Sequence, residues 1–270
     1  MTGLTDTHCH IHDAEFGLVG DGRMINVWRS APDPSPDAMI ERAHKNGVSR
    51  LICVGSTLDN SHRAVEFVQS RDNCWASIGI HPHDAKEGRA AFDKLAKLAD
   101  KPKVVAVGEI GLDYFYNHSS KKEQADALRF QIELALAHDL PVIFHVRDAF
   151  DDFWPIFDDY QNIRGVLHSF TDSHANFMAA MTRDLYIGVN GIMTFTKVAE
   201  QLQVAKEVPL QKLLLETDAP FLTPKPLRGT VNEPAHVRLV AEFLADLRGE
   251  PLAELTNQTS QNAQRLFALN

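Results

Sequence analysis

The sequence contains only three cysteines, Cys9, Cys53 and Cys74, among its 270 residues. An odd and small number of cysteines in a chain of this length does not form the framework of a disulfide-rich secreted domain. The first residues also lack the basic stretch and the apolar run of a secretory signal peptide. We therefore expect reduced cysteines without disulfides, and a cytoplasmic location.

Positive charge is scarce as well. The chain has 27 Lys and Arg against 36 Asp and Glu, which gives a formal net charge of −9. This balance excludes a broad basic surface that would hold long nucleic acid through its phosphates. Nucleic acid can still be a substrate if positive charge, including that of metal ions, is concentrated in a cleft.

Long apolar segments are missing too. No run approaches the roughly 20 apolar residues that a membrane-spanning helix requires. No low-complexity segment and no strong internal repeat interrupts the chain. We expect no membrane association, and nothing in the sequence predicts a stable protein partner.

Short runs rich in Val, Ile and Leu recur eight times, and they predict strands that are mostly buried on both faces. The predicted strands are residues 4–10, 50–55, 74–80, 104–112, 141–146, 165–170, 185–190 and 213–218. Segments with helical spacing lie between them, at residues 37–46, 61–69, 91–100, 121–138, 151–160, 175–183 and 198–206. This alternation predicts parallel strands joined by helical crossovers.

Eight such units in a chain of this length predict an α/β fold of the closed (β/α)8 TIM-barrel type rather than an open sheet. Two extra C-terminal helices, at residues 231–247 and 252–269, are expected to cover the outside. We interpret residues 1–270 as a single domain. One stretch, residues 17–36, is rich in Gly and Pro and has no clear period. Its position between the first strand and the first helix predicts a loop at the mouth of the barrel.

Ionisable side chains mark the ends of several predicted strands. They are His8 and His10 on the first strand, Glu109 on the fourth, His145 on the fifth, His168 on the sixth and Asp218 on the eighth. The carboxyl ends of all strands meet at one face of a TIM barrel, where active sites are built. Burying so many ionisable groups is costly unless they are paired or bind metal. A ring of such residues therefore predicts a site rather than packing.

The first strand carries three histidines at alternate positions, His8, His10 and His12. A tag, a chance cluster, a structural metal clip and half of a catalytic metal site all remain open from this stretch alone. Residues two apart on a strand share a face, so His8 and His10 point the same way while Cys9 points to the other face. His12 lies past the strand end, and we expect that it does not bind metal.

Four imidazoles and two carboxylates suit a binuclear metal site bridged by Glu109. A water between two such ions would lose a proton near neutral pH because the metal charge stabilises hydroxide. We therefore predict two divalent metal ions as cofactors. Imidazole ligands favour Zn, Mn, Fe or Ni over Mg, which prefers oxygen ligands, but the sequence does not distinguish among the five.

Nine segments together resemble the TatD-type metal-dependent hydrolases (DNases), a branch of the amidohydrolase-like superfamily. They run in family order as TDTHCHIHDAEF, SIGIHPHDA, VVAVGEIGLDYFY, LPVIFHVRDA, GVLHSFTDS, NGIMTFTK, LLLETDAPFLTP, NEPAHV and SQNAQRLF. The resemblance implies a (β/α)8 barrel with two divalent metals and DNase activity, including trimming from a 3′ end. It implies the following ligands: His8, His10, Glu109 and Asp218 for one metal, and Glu109, His145 and His168 for the other.

The resemblance also suggests roles around the metals. Asp218 and Glu109 are the expected catalytic residues, with Asp218 orienting the attacking water and accepting its proton. Glu216 is either a partner that orients a ligand imidazole or a buried structural carboxylate. The expected substrate is DNA, preferably single-stranded or at frayed ends.

Five residues are candidates for contact with the substrate. His81 and His83 sit at the mouth and either touch substrate or support the site. Arg147 either pairs with a phosphate or forms a structural ion pair. Trp28 either stacks on a base, as aromatic residues do in single-strand binders, or packs within its loop. Arg228 is a candidate because Val231 occupies a position where many family members carry a basic residue.

Two other functions remain as alternatives. The same centre suits hydrolysis of a small ester, lactone or amide, because fold and metals do not determine the substrate. A non-catalytic scaffold would have lost a ligand position, and none is lost here. Parallel assays on phosphodiesters and on small esters, lactones and amides separate these functions.

Overall fold

The computed structural model describes residues 3–15 and 23–269, and these residues form a parallel β-barrel. Its eight strands in the described ranges are β1 Leu4–Cys9, β2 Val48–Val54, β3 Cys74–Ile78, β4 Val104–Asp113, β5 Val142–Arg147, β6 Gly165–Leu167, β7 Tyr186–Val189 and β8 Leu213–Leu215. Each strand pairs in parallel with the next one along the chain. The predicted (β/α)8 TIM barrel is therefore confirmed.

The barrel closes where β1 meets the end of β8. The backbone N–H of Asp218 donates to the carbonyl of His8 at 2.8 Å. Deeper in the same seam, the Asp6 carboxylate accepts hydrogen bonds from the N–H of Thr217 at 2.9 Å and from its hydroxyl at 2.6 Å. Residues 211 positions apart in the sequence are thus joined beside the carboxyl end of the barrel.

Ten α-helices, counted over the described ranges, accompany the strands: α1 Arg23–Arg29, α2 Pro36–Lys45, α3 Leu58–Gln69, α4 Arg89–Leu95, α5 Lys121–Ala137, α6 Phe150–Asp158, α7 His174–Thr182, α8 Ala199–Glu207, α9 Val237–Arg248 and α10 Leu252–Phe267. Several of them begin after a Ser or Thr whose hydroxyl accepts a backbone N–H of the first turn, which stabilises the helix start. Thr57 does this for α3 and Ser120 for α5. None of these helices is both long enough and apolar enough to cross a membrane.

Helix α10 covers the amino end of the barrel. The Ser260 hydroxyl donates to the carbonyl of Gly3 at 2.9 Å, and the Asn262 amide donates to the carbonyl of Leu213 at 2.8 Å, so the helix is bonded to the starts of β1 and β8. Phe267 belongs to the same apolar cluster as the inward-facing residues of the strands. With this end covered, the carboxyl end is left for function.

The structure corrects several predicted boundaries. Strands β3, β6 and β8 end two or three residues before the predicted ends, because pairing with the neighbouring strand stops at Ile78, Leu167 and Leu215. Helix α9 begins at Val237 rather than at residue 231, since a proline at 234 disfavours helical backbone in the residue before it. Within the stretch 17–36, residues 23–29 form helix α1 instead of an irregular loop. Residues 16–22 of that region lie outside the described residues.

Candidate metal centre

The carboxyl end of the barrel brings the six predicted ligands together. His8 on β1 and His10 just after it approach each other with their Nε2 atoms 3.3 Å apart. Asp218, which follows β8, places its Oδ1 atom 3.6 Å from His8 Nε2 and 3.5 Å from His10 Nε2. These three residues form one group of convergent ligand atoms.

Glu109 on β4 stands between that group and the remaining histidines. Its Oε2 atom lies 3.5 Å from His8 Nε2. Its Oε1 atom lies 2.8 Å from His145 Nδ1 and 2.8 Å from His168 Nε2. The two oxygens of one carboxylate therefore face different imidazoles, which is the arrangement that a bridging ligand needs.

The ligand atoms of this centre cannot all be satisfied by hydrogen bonds to one another, whereas divalent cations would satisfy them. Two facing imidazole nitrogens share at most one hydrogen bond, and His8 Nδ1 is buried without any partner. Ligand atoms within 4.8 Å of one another also occur in His8, Glu109 and His168, and in His81, Glu109 and His145. Imidazole and carboxylate ligands together match Zn, Mn, Fe or Ni. How the six predicted ligands divide between ions stays a prediction, and His81 joins them as a neighbour that was not predicted as a ligand.

Electrostatics keep the central carboxylates ionised. Burial disfavours the charged form of Glu109, but the charges of His168 and His81 and the hydrogen bond to His145 outweigh burial and lower its pKa well below the usual value. Burial likewise opposes ionisation of Asp218, and its interaction with His10 lowers its pKa all the same. Both side chains are therefore carboxylates at neutral pH, the form that binds metal.

A backbone carbonyl orients the ligand nitrogen of His10. Its Nδ1 atom lies 2.9 Å from the carbonyl oxygen of Val54. A carbonyl only accepts, so Nδ1 carries a proton and, in the neutral ring, Nε2 presents its lone pair to the centre. The first strand therefore delivers a preoriented ligand.

Glu216 supports His168 from below. Its Oε1 atom lies 3.4 Å from His168 Nδ1 and accepts a hydrogen bond from the backbone N–H of Ser169 at 2.6 Å. Space for this carboxylate exists because residue 188 is a glycine: a Cβ there would lie 2.5 Å from Glu216 Oε2. The geometry agrees with the predicted role of Glu216 as a partner of a ligand imidazole.

Asp113, the last residue of β4, is a site residue that the sequence analysis missed. Its Oδ2 atom lies 3.1 Å from His145 Nε2 and 2.9 Å from His83 Nε2. If His145 donates from Nε2, its Nδ1 lone pair faces Glu109 and the centre, so Asp113 selects the tautomer that can bind metal. The signal for this residue was present, because positions 109, 111 and 113 of one strand share a face.

Replacing Asp113 by asparagine is expected to weaken Zn²⁺ binding about 10- to 100-fold, the usual effect of removing the partner of a ligating histidine. The amide keeps the size but has one acceptor oxygen instead of two, so it cannot accept both from the imidazoles on one side and from the backbone N–H groups of Phe115 and Tyr116 on the other. Competition with a chromogenic chelator measures the affinity. Asp93→Asn, an exposed substitution on α4, is the matched control. Equal Zn²⁺ affinity in both variants would contradict this role of Asp113.

A cleft of about 630 Å³ opens over the centre, and it contains three of the predicted substrate contacts, His81, His83 and Arg147. The backbone N–H of His83 donates to His81 Nδ1 at 3.1 Å. Burial, together with the charge of His145, lowers the pKa of His81 to about 4, although Glu109 acts in the opposite direction. His81 is therefore neutral at pH 7, with its proton on Nε2, and offers an N–H donor beside Glu109.

Two predicted substrate contacts lie elsewhere. Trp28 on α1 is fully buried, and its indole N–H donates to the carbonyl of His10 at 3.1 Å. A ring without exposed surface cannot stack on a base, so the stacking prediction for Trp28 is contradicted and its packing alternative holds. Arg228 does not line the cleft; it lies over the ring of Phe195 at 3.9 Å and donates to the carbonyl of Thr223. Phosphate contact from Arg228 therefore has no support in this geometry.

His12 lies next to the centre without joining it. It sits in a short 3-10 helix, Ile11–Ala14, is fully buried, and is absent from the three ligand groups. Its Nε2 atom lies 4.0 Å from Asp13 Oδ1. That the third histidine of the stretch does not bind metal stays a prediction.

Comparison with known proteins places this geometry in context. The chain is 37% identical over 272 residues to an uncharacterized metal-dependent hydrolase, YabD, of Bacillus subtilis, with 99% of this chain and 100% of that protein covered. It is 34% identical over 253 residues to the 3′-5′ ssDNA/RNA exonuclease TatD of Shigella flexneri, with 91% and 97% covered.

A solved structure of a TatD homologue has the same fold over nearly the whole chain. The crystal structure of YJJV, a TatD homologue from Escherichia coli, superposes with a TM-score of 0.85 at 30% identity and covers 99% of this chain and 98% of that chain. The family model described as TatD related DNase matches residues 5–268. The resemblance seen in the motifs is thus confirmed, and the chain belongs to the TatD-related DNase family.

Proposed function

We propose that this chain, as a single barrel domain, is a metal-dependent exonuclease that removes nucleotides from the 3′ end of single-stranded DNA. One observation carries the proposal: the Glu109 carboxylate lies between two sets of imidazoles at the floor of an open cleft. Membership of a DNase family and a relative named as a 3′-5′ ssDNA/RNA exonuclease support it.

The cleft supports a single-stranded substrate. Its volume of about 630 Å³ lies in the range of sites that enclose small ligands. In an intact duplex the two strands are paired, so we expect a strand end to enter the cleft only after it frays. The acidic surface repels long nucleic acid, so binding is concentrated where cations are.

The residues in and around the centre have different roles in the proposed hydrolysis. Two divalent ions held by the six ligands would supply Lewis-acid polarisation of the phosphate and activation of a water. Asp218, ionised and at the edge of the cleft, orients the attacking water and accepts its proton. The neutral His81 donates a hydrogen bond from its Nε2–H to a phosphate oxygen and keeps its proton, and Arg147 pairs with a neighbouring phosphate.

Degradation of labelled oligonucleotides tests this proposal. Single-stranded DNA carrying a dye at its 5′ end is expected to give a ladder that shortens from the 3′ end, and a phosphorothioate at the last 3′ linkage is expected to slow it. Blunt duplex DNA is expected to be cut more slowly. RNA of the same sequence shows whether hydrolysis requires deoxyribose. Intact DNA with every metal, beside rapid cleavage of a small ester, lactone or amide, would contradict the proposal.

A further inference from the structure

Two neighbouring exposed aromatic residues lie at one side of the cleft: Tyr116 lines it, and Phe115 packs against Tyr116. Phe115 is 55% exposed and Tyr116 is 42% exposed, directly after β4, which carries Glu109. Their ring centroids lie 4.8 Å apart in an edge-to-face arrangement. Exposing two large rings side by side is costly in water, so this pair calls for an explanation beyond folding.

These rings are held firmly rather than left on a loose loop. Asp113 Oδ1 accepts hydrogen bonds from the backbone N–H groups of Phe115 and Tyr116, each at 3.0 Å. The Tyr116 ring packs edge-on against His83 with centroids 5.3 Å apart. The other oxygen of Asp113 contacts His145. A single side chain, Asp113, therefore connects the two aromatic residues to a predicted metal ligand.

A cation adjoins the two rings. The Arg147 guanidinium lies 4.0 Å from the ring centroid of Phe115 and 4.9 Å from that of Tyr116. Among the residues that the structure describes, no carboxylate forms an ion pair with it. Arg147 lines the cleft and follows His145 by two residues on β5. Its charge is therefore available to an anion that extends from the centre to the two rings.

We propose that Phe115 and Tyr116 form a stacking subsite for the unpaired base next to the nucleotide being removed, with Arg147 pairing with the phosphate that follows the scissile one along the strand. The inference rests on the proposed function and adds the position that the second base occupies. Rigid aromatic rings beside a guanidinium are the means by which proteins hold single strands without reading sequence. Stacking uses the face common to all bases, so this subsite accepts every base and rejects a nucleotide that lacks one.

Oligonucleotides with an abasic site test the subsite. The abasic nucleotide replaces the one next to the 3′-terminal nucleotide, and kcat/KM for release of the terminal nucleotide is compared with that for the intact strand. Wild-type protein is expected to prefer the intact strand about tenfold, which lies within the range for one base stacked on an aromatic ring. The double variant Phe115→Leu with Tyr116→Leu keeps apolar volume without a stacking face. It is expected to lose this preference, mainly through a higher KM.

Two control variants sharpen the result. Phe115→Trp keeps an aromatic face and is expected to keep the preference. Met178→Ala removes an exposed apolar side chain on α7 away from the cleft and is expected to change nothing. Equal cleavage of both strands by wild-type protein, or an unchanged preference in the double leucine variant, would overturn the subsite while leaving the nuclease intact. A wild-type protein that cleaves neither strand would overturn both.

Discussion

Replacing Glu109 by glutamine is expected to lower kcat/KM on single-stranded DNA about a thousandfold, the upper range for removing one preorganised polar group from an active site. The amide is isosteric, but it carries no charge and turns an NH₂ group toward imidazole nitrogens that need an acceptor or a cation. Because both carboxylate oxygens touch histidines, on opposite sides, the substitution affects three of the predicted ligand histidines at once. Steady-state kinetics with saturating metal measure the loss.

A surface variant shows whether the loss of kcat/KM is specific to Glu109 or follows from removing any carboxylate. Glu41→Gln removes an exposed carboxylate that pairs with Lys45 at 2.7 Å, and it is expected to leave kcat/KM unchanged. Both variants should unfold cooperatively, since Glu109→Gln introduces no change of volume. Retention of more than a tenth of the wild-type activity in Glu109→Gln would show that hydrolysis does not depend on a bridging carboxylate.

Removing the metals is expected to abolish hydrolysis and to lower the melting temperature by about 10 °C. Two ions, each present at about thirty times its Kd, together stabilise the folded state by about 4 kcal/mol, and each kcal/mol moves the Tm of a domain of this size by about 2–4 °C. Burial lowers the pKa of His168, but Glu109 and Glu216 raise it well above its usual value. The imidazole therefore takes up a proton when the metal leaves, and this protonation offsets part of the loss of stability. Dialysis against a chelator, followed by calorimetry and a DNA assay, measures both changes.

Reconstitution completes this experiment. Elemental analysis of the reloaded protein is expected to give two ions per chain, and stepwise addition of Zn²⁺ or Mn²⁺ should restore activity only after the second ion binds. The Glu109→Gln variant, treated in parallel, is expected to regain fewer ions and no activity. Full activity in the chelated protein, with no metal detected, would exclude the proposed chemistry.

The barrel could be predicted from sequence because each strand is a short apolar run bounded by turn residues. Strand ends could not, because buried apolar residues such as Ile80 and Phe170 follow the last paired residue of their strands. Helix α1 was also missed, since its seven residues lie in a stretch whose Gly and Pro hide the helical period. The local apolar pattern of the sequence thus identifies the strands and most helices. The residue at which each strand ends depends on contacts with its neighbouring strands.

The convergence of the six predicted ligands could also be predicted from sequence, because parallel strands place their carboxyl ends at one face. Asp113 was missed because its role depends on two partners, His83 and His145, that come from other elements. Trp28 was assigned to the mouth from its place in the chain, but a large ring with one N–H donor is more stable when buried against the carbonyl of His10. Such choices depend on distances that a single sequence does not contain.

The seam between β1 and β8 also sets the time at which the centre can assemble. His8 and His10 lie about 210 positions before Asp218 in the sequence, so a ribosome makes these two histidines well before that carboxylate. At about 5–20 residues per second, synthesis of the two sides is separated by roughly 10–40 s. A nascent chain therefore exposes two ligands without the carboxylate that completes their group, and hydrolysis must wait for the last strand to close the ring.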